Sequence, residues 1–260
     1  VRQFQQDDCH VFLRQDQIRE EVAFLTKFIL GYYETFGLSA RLKFATRPEV
    51  RIGSDEMWDA AEGALRDALD ATGYGYELKE GDGAFYGPKI DFDVLDSIGR
   101  PWQLGTIQLD YSNPERFDLT YTGEDNAPHR PVVIHRAVSG SFERFIAILI
   151  EHFAGAFPVW LAPEQVRVIP IAIDYNEHAQ ALVNRLKKQG IRATLDARNE
   201  TLNYRVREGE VEKVPYMCVI GRREAEEMTV ALRTRGAGKK QEILSQDAFL
   251  ERLQHEVSTR

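Results

Sequence analysis

The chain has 260 residues, 43% apolar and 28% charged, with a formal net charge of −8. That length suits one large or two ordinary domains. No run approaches the roughly 18 to 20 apolar residues of a membrane span, and the acidic total argues against unspecific coating of nucleic acid. Cys9 and Cys218 are the only cysteines. Far apart and without a CxxC spacing, they give no disulfide framework and no self-contained cysteine zinc site, so a reducing cytoplasm fits best. The first residue is Val and no signal or transit pattern follows; the chain is therefore expected to have been cut from something longer.

In chain order, a helix is predicted from about Gln15 to Tyr33, then a strand at LKFATR and a helix from Asp55 to Thr72. Strands follow at YELK, KIDFDVLD, PWQLGTIQLDY and LTYTGE, and VVIHRAV leads into a long helix. Short Gly, Asp and Pro turns between them suggest a largely antiparallel sheet with helices packed on it. In GSFERFIAILIEHFAGAF, Phe142, Phe145, Ile146, Leu149, Ile150 and Phe153 recur at helical spacing, which predicts a buried helix with Gly155 near its stop. A boundary is expected at FPVWLAPEQ, giving domains 1–162 and 163–260. Beyond it the order is strand (VRVIPIAI), helix (HAQALVNRLKKQ), strand (IRATLDA), helix (LNYRVREGEVEK), strand (PYMCVIG), strand (TVALRTR) and a last amphipathic helix (DAFLERLQHEV). That alternation predicts a small α/β domain around a mixed sheet. Charge divides at the same place: 16 Lys+Arg stand against 26 Asp+Glu through residue 163, and 17 against 15 after it. A basic face on the second part could hold a polyanion.

The segment GDGAFYGPK, Gly81 to Lys89, combines three glycines, two aromatics and a cation just before the alternating run IDFDV. It is not a Walker loop, because Gly87 is followed by Pro88 and Lys89 by Ile90. Nor is it a Rossmann turn, since no G-x-G-x-x-G lies between strand and helix. Two readings of the residues remain: an ordinary hairpin turn, or a turn whose glycines let backbone approach a ligand beside Tyr86 and Lys89.

Four segments recur together and in order: VRQFQQDDCHVF, EGDGAFYGPKIDF, WQLGTIQLDYSNPERF and RPVVIHRAVSGSFERFIAILIEH. They resemble the catalytic core of the threonyl-tRNA synthetases, a family of class II aminoacyl-tRNA synthetases. FPVWLAPEQVRVIPI and ARNETLNYRVREGEVEKVPYMCVIG resemble that family's anticodon-binding domain. The resemblance implies an α+β class II catalytic domain built on an antiparallel sheet, followed by a small α/β anticodon-binding domain with a mixed sheet. It implies ligation of L-threonine to tRNA(Thr) through a threonyl adenylate made from ATP with Mg2+.

The resemblance also distributes roles. Phe4, in the tail of motif 2, would stack on adenine, and Arg144, in the motif 3 segment GSFERF, would cover the other face and reach the γ-phosphate. Gln103 and Ser141 would join them at ATP, and Lys89 would neutralise charge near the α-phosphate. Gln6, Asp8, Tyr86, Thr106 and Gln108 would surround threonine, with Asp8 accepting from its ammonium. An apolar pocket separates threonine poorly from isosteric valine. In this family a zinc ion held by one Cys and two His does so, and His10 and His135 match the two histidines. Cys9 does not match the metal cysteine. Asn199, Arg207, Glu224 and Arg233 would approach anticodon bases, with Arg198, Arg205, Arg222, Arg235, Lys239 and Lys240 on phosphates.

The resemblance places the zinc cysteine, the motif 2 arginine and the motif 1 dimer element ahead of residue 1. The chain is thus expected to be an excerpt of a longer enzyme, or a truncated product, that forms its homodimer through other parts. The alternative is a non-catalytic RNA-binding module on the same scaffold. The paired histidines disfavour a prolyl or seryl enzyme.

Overall fold

The computed structural model describes residues 1–238 and 240–259. The chain parts into two units, Val1–His152 and Phe153–Arg260. The first begins with β1 (Cys9–Leu13), a 3-10 turn (Gln15–Gln17), α1 (Ile18–Thr35), β2 (Ala40–Ala45), α2 (Asp55–Thr72) and β3 (Tyr76–Lys79). It continues with β4 (Lys89–Leu95), β5 (Pro101–Asp110), α3 (Ser112–Arg116), β6 (Tyr121–Thr122), β7 (Pro128–His129), β8 (Val132–Ala137) and α4 (Phe142–His152). α2 shows why these ends fall where they do. The Ser54 side chain accepts from the Met57 amide, Asp55 and Glu56 stand in the first turn, and Gly73 closes the helix at φ 74°.

Among the described residues, six strands form the main sheet in the order β1-β8-β5-β4-β2-β3, antiparallel except for the last pair. Alternation gives it two unlike faces. Leu42, Phe44, Ile90, Phe92, Ile107, Leu109 and Ile134 are buried on the face that meets α1, where Tyr33 lies 6.5 Å from Phe92 and donates to the Val138 carbonyl at 2.5 Å. The other face carries Lys43, Lys89, Asp91, Thr106, Gln108, His135 and His10. A bulge interrupts the alternation: Phe92 pairs with Gly105 but Asp93 pairs with Gln103, so Leu104 is the extra residue on β5. Gln103 and Thr106, three apart, therefore share the polar face.

The second unit contains β9 (Val166–Pro170), a 3-10 turn (Ile173–Tyr175), α5 (Asn176–Lys188), β10 (Ala193–Leu195), α6 (Leu202–Val211), β11 (Tyr216–Ile220), α7 (Arg222–Glu227), β12 (Thr229–Thr234), β13 (Glu242–Ser245) and α8 (Gln246–Ser258). Its sheet runs β10-β9-β11-β12-β13, parallel over the first three and antiparallel beyond, a mixed sheet as the alternation predicts. One cluster that includes Val168, Leu182, Cys218, Val230 and Phe249 fills one side. Ile169, Val206, Val214 and Met217 form a smaller one under α6.

The segment between His152 and the expected 162/163 boundary is tied into the second unit: Lys213 donates to the Ala154 carbonyl, Arg235 to Phe157, and Arg192 to Trp160 and Ala162. Several expectations are corrected. α4 is buried on one side only. Phe145, Ile148 and Leu149 face inward, whereas Phe142, Ile146 and Ile150 are exposed, and the helix ends before Phe153. The strand expected at LTYTGE shrinks to Tyr121–Thr122, and the helix expected from Gln15 starts with a 3-10 turn. β1, β7, β13, α3 and α7 carry no prior signal in the sequence reading; each is six residues or fewer.

In GDGAFYGPK the close backbone approach at Gly87 is to the protein's own strand. A Cβ there would sit 1.8 Å from the Leu109 carbonyl oxygen, so bare backbone is required where the loop meets β5. Gly75 has open space around it. Gly87→Ala is expected to destabilise the first unit by about 1–3 kcal/mol or more and Gly75→Ala by less than about 0.5 kcal/mol. Urea unfolding followed through Trp58 and Trp102, with Trp160 replaced by Phe, measures both.

Candidate active site

Residues directly opposed on neighbouring strands project from the same face. His10 opposes His135, His135 opposes Gln108, and Gln108 opposes Lys89, so one row crosses β1, β8, β5 and β4. Three inter-strand steps make that row about 14 Å long. The adjacent row holds Ala137, Thr106, Asp91 and Lys43. Both histidines, the lysine and two of the threonine candidates are thus set on one surface by registration alone.

Beside these rows lies a groove of about 470 Å³ lined by Phe4, Gln6, Gln103, Thr106, Gln108, Ser141 and Arg144, among others. Its far wall is held in two ways. Gln6 bridges to Ser141, and the Gln5 amide donates to Glu143 while the Phe142 amide donates to the Gln5 carbonyl at 2.9 Å. Asp7 accepts from the Val138 and Ser139 amides, both at 2.8 Å, and from Arg136 at 3.3 Å. The extended N-terminal segment is thereby fixed against the turn that enters α4. Ser141 caps that helix, accepting from the Arg144 amide at 3.3 Å.

Arg144 is exposed on α4. It donates to the Gln103 carbonyl at 2.8 Å and its Cζ lies 5.6 Å from the centre of the Trp102 ring. Trp102 in turn donates its indole N–H to Asp96 at 3.0 Å. Asp96 also accepts from Arg100 Nε at 2.6 Å and from the amides of Arg100 and Ile98. Burial alone would raise the Asp96 carboxyl, but the indole, the guanidinium and the two amides outweigh it and hold the group well below the usual carboxylate range.

Lys89 Nζ lies 2.5 Å from Asp91, whose other oxygen accepts from Gln103 Nε2 at 2.8 Å and Thr106 Oγ1 at 3.2 Å. One carboxylate, 2% exposed, therefore positions a cation, an amide and a hydroxyl that all face substrate in the resemblance. Burial pushes its carboxyl up, opposed by Lys89 and Thr106. The alternation of IDFDV was a signal for Asp91, since it stands two residues from Lys89; Trp102, Asp7 and the bulge left none. Tyr86 donates to Gln108 Oε1, and its ring centroid is 5.4 Å from that of His135. Burial, then the negative charges of Asp110 and Asp8, push the Tyr86 hydroxyl up to about 12. Asp8 itself is exposed.

The imidazoles of His10 and His135 stand with centroids 4.5 Å apart and planes 81° from parallel. They supply two nitrogen donors of the kind zinc takes. Among the described residues no third His, Cys, Asp or Glu completes a metal-binding group. Cys9 opposes Arg136 and projects from the face opposite His10.

In the second unit α6 runs against the direction of the parallel strands. Asn199 and Glu224 lie toward the carboxyl ends of β10 and β11, and Arg233, opposite Met217, lies near the start of β11. Arg207 is exposed on α6 between them. Glu224 accepts from the Gly221 amide at 3.0 Å. Arg233 borders a cavity of about 320 Å³ with Glu210 and Gly238, contacts both at 3.2–3.3 Å, and keeps its Nε buried without a partner. Arg205 does not serve phosphate: it is 4% exposed and donates to the carbonyls of Asp196 and Pro170. Arg198 pairs with Asp196 and Glu208, Arg235 donates to Lys213 and Phe157 carbonyls, Arg222 pairs with Glu226, and Lys240 is exposed. Lys239 lies outside the described residues.

Comparison with known proteins also finds two domains in the chain. Residues 1–153 match the tRNA synthetase class II core domain (G, H, P, S and T), and residues 165–256 match the anticodon binding domain. The chain belongs to the class II tRNA synthetase family. Within it, the chain is 54% identical to a threonine–tRNA ligase of Desulforamulus reducens over all 260 residues, covering 41% of that protein. It is 52% identical over 238 residues to that of Carboxydothermus hydrogenoformans, covering 92% of this chain and 38% of that protein. The chain thus spans about two fifths of these relatives. A crystal structure titled as the RNA binding domain of threonyl-tRNA synthetase from Cryptosporidium parvum superposes with a TM-score of 0.92 at 40% identity, over 98% of this chain and 64% of that one. A threonyl-tRNA synthetase described as putative, from Aeropyrum pernix, gives 0.73 at 28%, over 100% and 64%. No described helix is long and apolar enough to cross a membrane.

The depressed carboxyl of Asp96 sets a pH dependence. Its folded pKa lies below its unfolded value, so its contribution is present above the ordinary Asp value of about 3.9 and is lost as pH falls below it. Acid titration of Trp102 fluorescence in a Trp58→Phe, Trp160→Phe background is expected to show this loss, and Asp96→Asn is expected to flatten it.

Proposed function

We propose that the chain is the catalytic-core and anticodon-binding part of a cytoplasmic threonine–tRNA ligase. The whole protein would join L-threonine to ATP, expelling pyrophosphate, and pass the acyl group from the adenylate to the terminal ribose of tRNA(Thr). The observation that carries this reading is the groove in which Phe4, Gln103, Ser141 and Arg144 meet Gln6, Thr106 and Gln108. It abuts the row that ends in Lys89 on one side and the two imidazoles on the other.

In this reading adenine lies between Phe4 and Arg144, whose guanidinium already rests on one aromatic ring. Gln103 and Lys89 contact the phosphates, accompanied by Mg2+, and Asp91 keeps both in place. Gln108, oriented by Tyr86, faces the amino acid with Gln6, Asp8 and Thr106. His10 and His135 would hold zinc, which would supply a Lewis acid for the amine and hydroxyl of threonine and so a means to reject valine. The third ligand and the dimer contacts come from other parts of the whole protein. Asn199, Arg207, Glu224 and Arg233 meet anticodon bases, and Arg233 borders a cavity at which a base edge could seat.

Two substitutions separate the halves. Arg144→Ala removes a charge-assisted contact of about 1.5–3 kcal/mol and is expected to weaken ATP binding by calorimetry at least about tenfold, leaving tRNA(Thr) binding intact. Arg233→Ala is expected to do the reverse. Binding of tRNA without any ATP binding would instead favour the non-catalytic RNA-binding module, and equal effects of both substitutions on both ligands would contradict the assignment.

A further inference from the structure

Asp110, at the end of β5, is fully buried. Its Oδ1 accepts from the amides of Ser112 at 2.8 Å and Asn113 at 3.0 Å, and its Oδ2 lies 2.8 Å from His135 Nε2. Registration explains the reach: Gln108 opposes His135, and Asp110 is two residues further along the same face. An ionised carboxylate only accepts, so Nε2 carries the hydrogen. A neutral imidazole has one N–H, which leaves the lone pair on Nδ1.

We propose that Asp110 is a positioning residue that locks His135 as its Nε2–H tautomer, so that Nδ1 is presented as a metal donor before any metal arrives. This deepens the zinc reading and rests on it for the identity of the ion. Turn formation does not account for the choice of Asp, because the two amides need only one oxygen and Asn would serve them. A buried charge is costly unless every lone pair is used, and here the second oxygen is spent on the imidazole. Carboxylate partners of this kind fix ring orientation and raise ligand basicity in metal sites.

The isostere makes a sharp test. In Asp110→Asn the amide oxygen would serve the Ser112 and Asn113 amides and the NH2 group would face Nε2. Two donors cannot pair, so Nε2 must become the acceptor and Nδ1 must take the hydrogen. Long-range 1H–15N correlation spectra of the histidine-labelled, metal-free chain read this directly once the ring shifts no longer change with rising pH; His135→Gln assigns the signal. Wild type is expected to show the Nε2–H form and Asp110→Asn the Nδ1–H form. Zn2+ affinity, by competition with a chelating dye, is expected to fall about 10–100-fold in Asp110→Asn. An Nδ1–H tautomer in wild type overturns the proposal even if the variant does not fold, and so does an unchanged tautomer in a folded Asp110→Asn. If the tautomers behave as expected but His10→Ala and His135→Gln leave Zn2+ affinity unchanged, the positioning role of Asp110 stands and the zinc reading fails.

Discussion

Everything in the first unit depends on strand registration. Opposed residues must share a face, so pairing His10 with His135, His135 with Gln108 and Gln108 with Lys89 brings residues 79 positions apart in the chain, and more, onto one line. A shift of one residue in either outer pairing would send a histidine or the lysine to the face that meets α1. The buried set on that face, Ile90, Phe92, Ile107, Leu109 and Ile134, forbids such a slip, because it would expose apolar side chains and bury charged ones. Core packing thus specifies the polar surface without touching it.

The polar face is backed by carboxylates that solve a second problem, how to hold flexible side chains still. Asp91 takes Lys89, Gln103 and Thr106; Asp93 takes Lys43; Asp96 takes Trp102 and Arg100; Asp110 takes His135. Each is at most 6% exposed. Burying four carboxylates is expensive unless they are paired and hydrogen-bonded, and here all four are. A lysine has about 2 kcal/mol of rotamer entropy to lose; clamping it in the folded protein removes part of that cost from ligand binding.

Much of this was legible in the sequence, for identifiable reasons. α2 was readable end to end because Ser54 and Gly73 mark it chemically. Lys89, Asp91 and Asp93 fall on one face by simple alternation. The bulge at Leu104 was hidden, since nothing in WQLGT distinguishes an inserted residue from a paired one. The convergence of His10 with His135 was supplied by family resemblance, because spacing along the chain says nothing about which strands adjoin. α4 misled for the opposite reason: apolar residues occupy more than one face, so periodicity could not show that Phe142, Ile146 and Ile150 stay exposed. The resemblance set Arg205 among the phosphate contacts, yet it is a core residue whose two terminal nitrogens donate to backbone carbonyls.

A crystal structure of the chain with a non-hydrolysable threonyl-adenylate analogue tests the central geometry most directly. Adenine is expected between Phe4 and Arg144, with the aminoacyl end over Gln108 and directed toward Tyr86 and the imidazoles of His10 and His135. An analogue seated instead in the cavity bordered by Phe12, Arg14, Tyr121 and His129, with the row from His10 to Lys89 untouched, would contradict it.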